Sequence, residues 1–159
     1  MKGFTLFETL VAILIFIFIV GGMYGVLVIA LTNYDTNLVS LNLQHQARQG
    51  MNRMVKEIRQ AYWDDGVEHE IRIELDANGN NSITFDRFAA TDVTYFLVSG
   101  KLWRGGTVIA NDIGVLKFSK DLTKHLLKIQ MQASKTFRSL GKDRTLTFFL
   151  TEQVQVRNL

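Results

Sequence analysis

Apolar positions crowd into the first 34 residues, and beyond them the chain settles into two different rhythms. From Thr9 to Tyr34 there are 26 consecutive residues without a formal charge. Crossing a bilayer takes about 20 such residues, and a helix buried in a soluble core seldom needs so many. Glu8 is the only acid between Phe4 and Tyr34, and no base lies there. The run therefore predicts a membrane-spanning helix over 4–34. A secretory signal would be shorter, with several bases before it and a small-x-small site after it, and Leu31-Thr32-Asn33 is a poor such site. Lys2 precedes the run, while the first charge after it is Asp35 and the next base is Arg48. That asymmetry predicts a cytoplasmic amino terminus, with the remainder of the chain outside.

The second rhythm begins at Leu31. Apolar residues at Leu31, Tyr34, Leu38, Leu41, Leu43, Ala47, Met51, Met54, Ile58 and Ala61 follow three-and-four spacing, with a phase shift near Leu41 to Leu43. They predict an amphipathic continuation of the helix over 35–65, with Arg48, Arg53, Lys56, Glu57 and Arg59 on its polar side. Gly50 should be a weak point, costing about 1 kcal/mol relative to Ala. Asp64-Asp65-Gly66 is a plausible stop, and a continuous helix from Phe4 to Tyr62 would be about 90 Å long.

After Gly66 the period shortens to two. Strands are expected at 70–75, 82–88, 93–98, 101–104, 115–118, 126–133, 146–150 and 153–157, punctuated by Ser99-Gly100, Gly105-Gly106 and Gly141-Lys142. Ile71, Ile73 and Leu75 alternate with Arg72 and Glu74, as one buried and one wet face of an antiparallel sheet require. The predicted class is thus α+β: a long amino-terminal helix, transmembrane then amphipathic, packed on an antiparallel sheet formed by a β-rich domain over 66–159.

Composition adds exclusions. A chain of 159 residues has room for one domain and an appendage. Eighteen bases against fifteen acids leave a surplus of +3, too small to argue for a nucleic-acid partner. The absence of cysteine excludes disulfides, thiolate metal sites and cysteine nucleophiles. The absence of proline removes that obstacle to a long helix.

Glu8 is the anomaly of the span. A carboxylate costs about 2.5–3.5 kcal/mol at the bilayer centre and less near an end. A bland reading makes it a solvated acid in the first helical turn. Its surroundings suggest more. Lys2-Gly3-Phe4-Thr5-Leu6-Phe7-Glu8, followed by an unbroken apolar helix, resembles the processing site of type IV prepilins and of the pseudopilins of type II secretion. That resemblance implies a leader over 1–3, cut after Gly3 by a prepilin peptidase that also methylates the new terminal Phe4. It implies that Glu8 is the acid through which an incoming subunit meets a neighbour's terminal amine. A desolvated carboxylate is far better placed beside a cation than alone, which would drive subunits together. The implied partners are other pilin or pseudopilin subunits, the peptidase/methylase and the assembly platform of the bacterial inner membrane.

RQGMNRMVKEIRQA at 48–61 and VTYFLVSGKLWR at 93–104 further resemble W-type minor pilins and J-type minor pseudopilins. A minor, assembly-initiating or tip-proximal role follows from that resemblance, together with the missing cysteines, since many major pilins close their carboxy-terminal region with a disulfide. Gly21 and Gly25 have the GxxxG spacing of close helix packing, although glycine is simply frequent in membrane helices. Competing readings are a single-span anchored binding module that never polymerises, and a competence pseudopilin touching DNA.

Signals of chemistry are thin. Asp76, Asn78 and Asn80 alternate as oxygen ligands do at the start of a calcium loop. The comparison fails at Asn81, where Gly is wanted, and at Arg87, where a bidentate Glu is wanted. Asn78-Gly79 in a hairpin turn explains the same residues, so no metal or other cofactor is expected. His45, His69 and His125 show no paired-ligand spacing, and no nucleophile elbow or phosphate-binding loop occurs, so no enzymatic activity is expected. Arg138, Lys142 and Arg144 flank Gly141 as a solvated turn would, or as a patch for DNA phosphates. Trp63 and Trp103 are expected in the core.

Overall fold

A computed structural model describes residues 5–61, 71–75, 81–87, 91–121 and 126–156. One helix, α1 (Leu6–Ile58), is followed by eight strands: β1 (Arg72–Leu75), β2 (Asn81–Arg87), β3 (Thr91–Val98), β4 (Lys101–Arg104), β5 (Thr107–Ala110), β6 (Ile113–Asp121), β7 (Leu126–Ser139) and β8 (Lys142–Gln155). The strands form two antiparallel meanders, a five-stranded sheet ordered β1-β2-β3-β4-β5 and a three-stranded sheet ordered β6-β7-β8. The second half of α1 packs chiefly on β7 and β8, and more lightly on β5 and β2. An α+β arrangement with a long apolar helix laid on antiparallel sheet is therefore what the chain adopts.

With 53 residues, α1 is about 80 Å long. Among the described residues, the buried positions of α1 begin only at Leu43. Leu43, Ala47, Met51, Met54 and Ile58 are buried against Leu102, Ala110, Ile129 and Met131 of the sheets. Leu31, Tyr34, Leu38 and Leu41 are exposed, contrary to a single stripe running from 31 to 61. The phase shift near Leu43 marks where apolar burial on the sheets begins; before it, β7 meets the helix through the polar contact of Ser139 with Asp35.

Two further expectations about α1 need correction. Gly50 is not a weak point. It is buried, and a Cβ there would lie 2.9 Å from Leu102 Cδ2 and 3.2 Å from the Ala110 Cβ. The missing side chain is what lets the helix approach β4 and β5. Glu57 is also not on a polar side but buried, as described below. The helix ends at Ile58 with Arg59 as its cap; Tyr62 and the Asp64-Asp65-Gly66 stop lie outside the described residues.

Alternation placed most of the strands. Ile129, Met131 and Ala133 are buried between glutamines. Leu75 is 75% exposed although it shares alternation with buried Ile71, because it ends an edge strand. β5 was not expected: four residues after two glycines give too short a pattern. β7 and β8 run 14 residues each without the predicted interruptions. Near the turn, residues 134–136 and 142–145 are all polar, so little hydrophobic period shows there, yet the pairing continues from Leu126↔Gln155 to Ser139↔Lys142. Trp103 is half-buried on the sheet face opposite Leu102, its ring stacked on Phe96 at 6.2 Å, with its indole nitrogen buried and unpartnered. Trp63 lies outside the described residues.

Candidate functional site

The largest unsatisfied feature of the molecule is the first two-thirds of α1. About twenty large apolar side chains between Leu6 and Leu41 are exposed, among them Phe7 at 73%, Phe16 at 65% and Phe18 at 73%. Burying each would be worth about 1.5–3 kcal/mol, so leaving all of them in water would forfeit tens of kcal/mol. No marginally stable chain tolerates that loss. The helix is long and apolar enough to span a membrane, and none of its apolar stretch is buried within the chain. Its charge-free part rises about 39 Å, more than the roughly 30 Å of a hydrocarbon core. Cβ atoms added at Gly21, Gly22 and Gly25 would touch nothing. Among the described residues, nothing packs against the Gly21 and Gly25 face.

The amino-terminal end of this surface is locally organised. Thr5 is the N-cap in extended conformation, and its Oγ1 accepts the Glu8 amide N–H at 3.3 Å. Glu8 Oε2 in turn accepts from the Thr5 backbone N–H at 2.9 Å and from the Thr5 hydroxyl at 3.0 Å. This reciprocal box satisfies helix donors that would otherwise be orphaned, which matters most where water is scarce. The acid is therefore not without partners in its own chain. Both bonds engage one carboxylate oxygen, and neither supplies a formal positive charge. Gly3 and Phe4, the residues of the expected cut, lie outside the described residues, as do Asp76, Asn78 and Asn80. Of the three histidines only His45 is described, exposed on α1. Among the described residues, no three His, Asp or Glu side chains group as metal ligands would.

A second polar cluster, missed in the sequence, joins helix to sheet. Arg104 Nε of β4 donates to Glu57 Oε2 at 2.7 Å, and Arg53 Nε lies 3.5 Å from Glu57 Oε1. Tyr95 of β3, paired with Arg104 across the sheet, lies beside this carboxylate with its hydroxyl buried; no hydrogen bond of good geometry joins them. Burial pushes the Glu57 carboxyl upward, but the Arg104 hydrogen bond and the smaller effects of Tyr95 and Arg53 outweigh it and hold the group below its ordinary value. Burial first, and then the Glu57 charge, raise the Tyr95 phenol well above its usual range. Helical spacing could have shown that Glu57 falls between Met54 and Ile58 on the buried face. Its charge alone suggested the opposite. The cluster ties α1 to the first sheet.

The chain matches no protein-family model, no curated protein and no solved structure. Any functional reading therefore rests on the residues themselves.

Proposed function

We propose that this chain is a structural subunit of a type IV pilus or type II secretion pseudopilus, and a minor, assembly-initiating or tip-proximal one. In this reading it is cut after Gly3 by prepilin peptidase, methylated on Phe4, and held in the bacterial inner membrane by α1 until it enters a filament with other pilin-like subunits. The observation that carries the reading is an apolar helix surface with no cover among the described residues, bearing a single acid, Glu8, one turn from the expected new terminus. The same surface serves lipid before assembly and a helical bundle after it, since both bury apolar area equally well. Glu8 uses one oxygen in the Thr5 box, which leaves its other oxygen for a neighbour's amine.

A second reading, a single-span anchored module that never polymerises, draws on that same box, because it gives Glu8 partners without any neighbour. Mass spectrometry of the mature protein separates the two. The pilin-like reading expects a chain beginning at methylated Phe4, and a Glu8→Leu variant that is cleaved and membrane-bound yet absent from filaments. A retained Met1, or normal incorporation of Glu8→Leu, would overturn it.

A further inference from the structure

α1 and β7 run side by side in opposite directions. At one end Arg59 and Leu126 line a common cleft with Gln153 and Gln155. At the other, the Ser139 hydroxyl donates to Asp35 Oδ2 at 3.1 Å. Between these ends the helix rises about 36 Å and the strand about 43 Å, so the match is one of near-parallel axes. The β7–β8 hairpin therefore points its turn toward the amino-terminal, apolar end of the helix. Asp35 is the first charge after the span. A hairpin fastened there holds its tip at the depth where the helix leaves the lipid.

The tip has an unusual composition for a turn. Leu140 and Gly141 connect the strands with φ of 49° and 76°. A two-residue turn with both φ positive favours Asn-Gly or Asp-Gly, and a branched apolar residue is strained in the first position. Leu140 is nonetheless there, 56% exposed. The adjoining strand ends carry Arg138, Lys142 and Arg144, with Lys142 and Arg144 on one face and Arg138 on the other, across from Asp143. None of the three bases forms an ion pair among the described residues. An exposed leucine with three bases in the strand ends that flank it, held at the lipid boundary, has the chemistry of a membrane-surface contact.

We propose that this tip docks on the anionic lipid surface from which α1 emerges, with Leu140 dipping into the headgroup layer and Arg138, Lys142 and Arg144 on lipid phosphates. The contact would fix the tilt of the β-domain over the membrane before assembly. It rests on the reading of α1 as a membrane anchor.

The chain has no cysteine, so single probes are easily placed. Full-length Leu140→Cys, Gln153→Cys and Phe18→Cys variants would each carry an environment-sensitive fluorophore, in vesicles of phosphatidylethanolamine with phosphatidylglycerol. The probe at 140 should be quenched by spin-labelled lipid and protected from aqueous iodide, and the probe at 153 should behave oppositely. Replacing Arg138, Lys142 and Arg144 by Gln should lower the ratio of lipid-quenched to iodide-quenched probe at 140 by about fivefold for each base removed. A Leu140→Asn variant should melt no lower than the parent, since it restores a favoured turn; a lower melting point would make Leu140 a structural residue and sink the proposal. If the probe at 18 meets lipid while that at 140 meets iodide, only the docking fails. If the probe at 18 meets iodide, the anchor reading and the docking fall together. A probe at 140 shielded from both quenchers, or responding to double-stranded DNA instead of lipid, would give the tip to a neighbouring chain or to nucleic acid and overturn the proposal.

Discussion

Replacing Glu57 by Gln tests whether the buried cluster fastens the helix to the sheet. The substitution keeps the shape of the side chain and removes its charge. It weakens the 2.7 Å bond from Arg104 and the 3.5 Å contact from Arg53. A hydrogen bond to a charged group is worth about 1.5–3 kcal/mol. The Arg104 side chain is 29% exposed and can recover some water, whereas the Glu57 side chain is 10% exposed. We therefore expect a loss of about 2 kcal/mol, below the about 3–5 kcal/mol of a fully buried pair that is broken on one side. For a folded part of this size that is a fall in Tm of about 8 °C. The effect should depend on pH. Glu57 is held below its ordinary value of 4.5, so the folded state resists protonation longer than the unfolded one. Its contribution is complete above that value and is lost as pH falls through the depressed folded value. Melting of the full chain in detergent, followed by tryptophan fluorescence from about pH 7 to about pH 3, should thus show parent and Glu57→Gln converging on the acid side. A double-mutant cycle with Arg104→Gln should give a coupling of about 1–3 kcal/mol. A Tm change under about 2 °C at neutral pH, or a gap that stays constant on acidification, would refute the reasoning.

Other outcomes follow from the packing. Gly50→Val should cost about 1–3 kcal/mol through overpacking against Leu102 and Ala110, and Leu102→Ala in the same chain should return part of it, as chemical denaturation can measure. Met54→Ala, at a site with no exposure, should cost about 2–5 kcal/mol by the same assay. Leu41→Gln should change β-domain stability by no more than about 0.5 kcal/mol, because that residue is 64% exposed. A large loss there would mean that the uncovered part of α1 supports the domain after all.

Periodicity and charge determined a good deal by themselves. A charge-free run from Thr9 to Tyr34 can only be helical in lipid, since a backbone without water must bond to itself. Alternation through Ile129, Met131 and Ala133 likewise defines a strand with one dry face. Glu8 stood out because an isolated acid in such a run is costly wherever it goes, and Lys2, Gly3 and Phe4 carried the resemblance on which its proposed role rests. What the sequence left open was contact between elements. Gly50 reads as a helix flaw until Leu102 and Ala110 arrive within 3.2 Å of where its Cβ would be. Glu57 reads as solvated until Arg104, 47 residues away, reaches it. The ends of β7 and β8 next to their turn, residues 134–136 and 142–145, are all polar, and their pairing with each other, with the Ser139 hydroxyl on Asp35, 104 residues away, makes them strands. Local pattern records which face of an element avoids water. Which partner covers that face depends on long-range geometry, and no short stretch of sequence contains it.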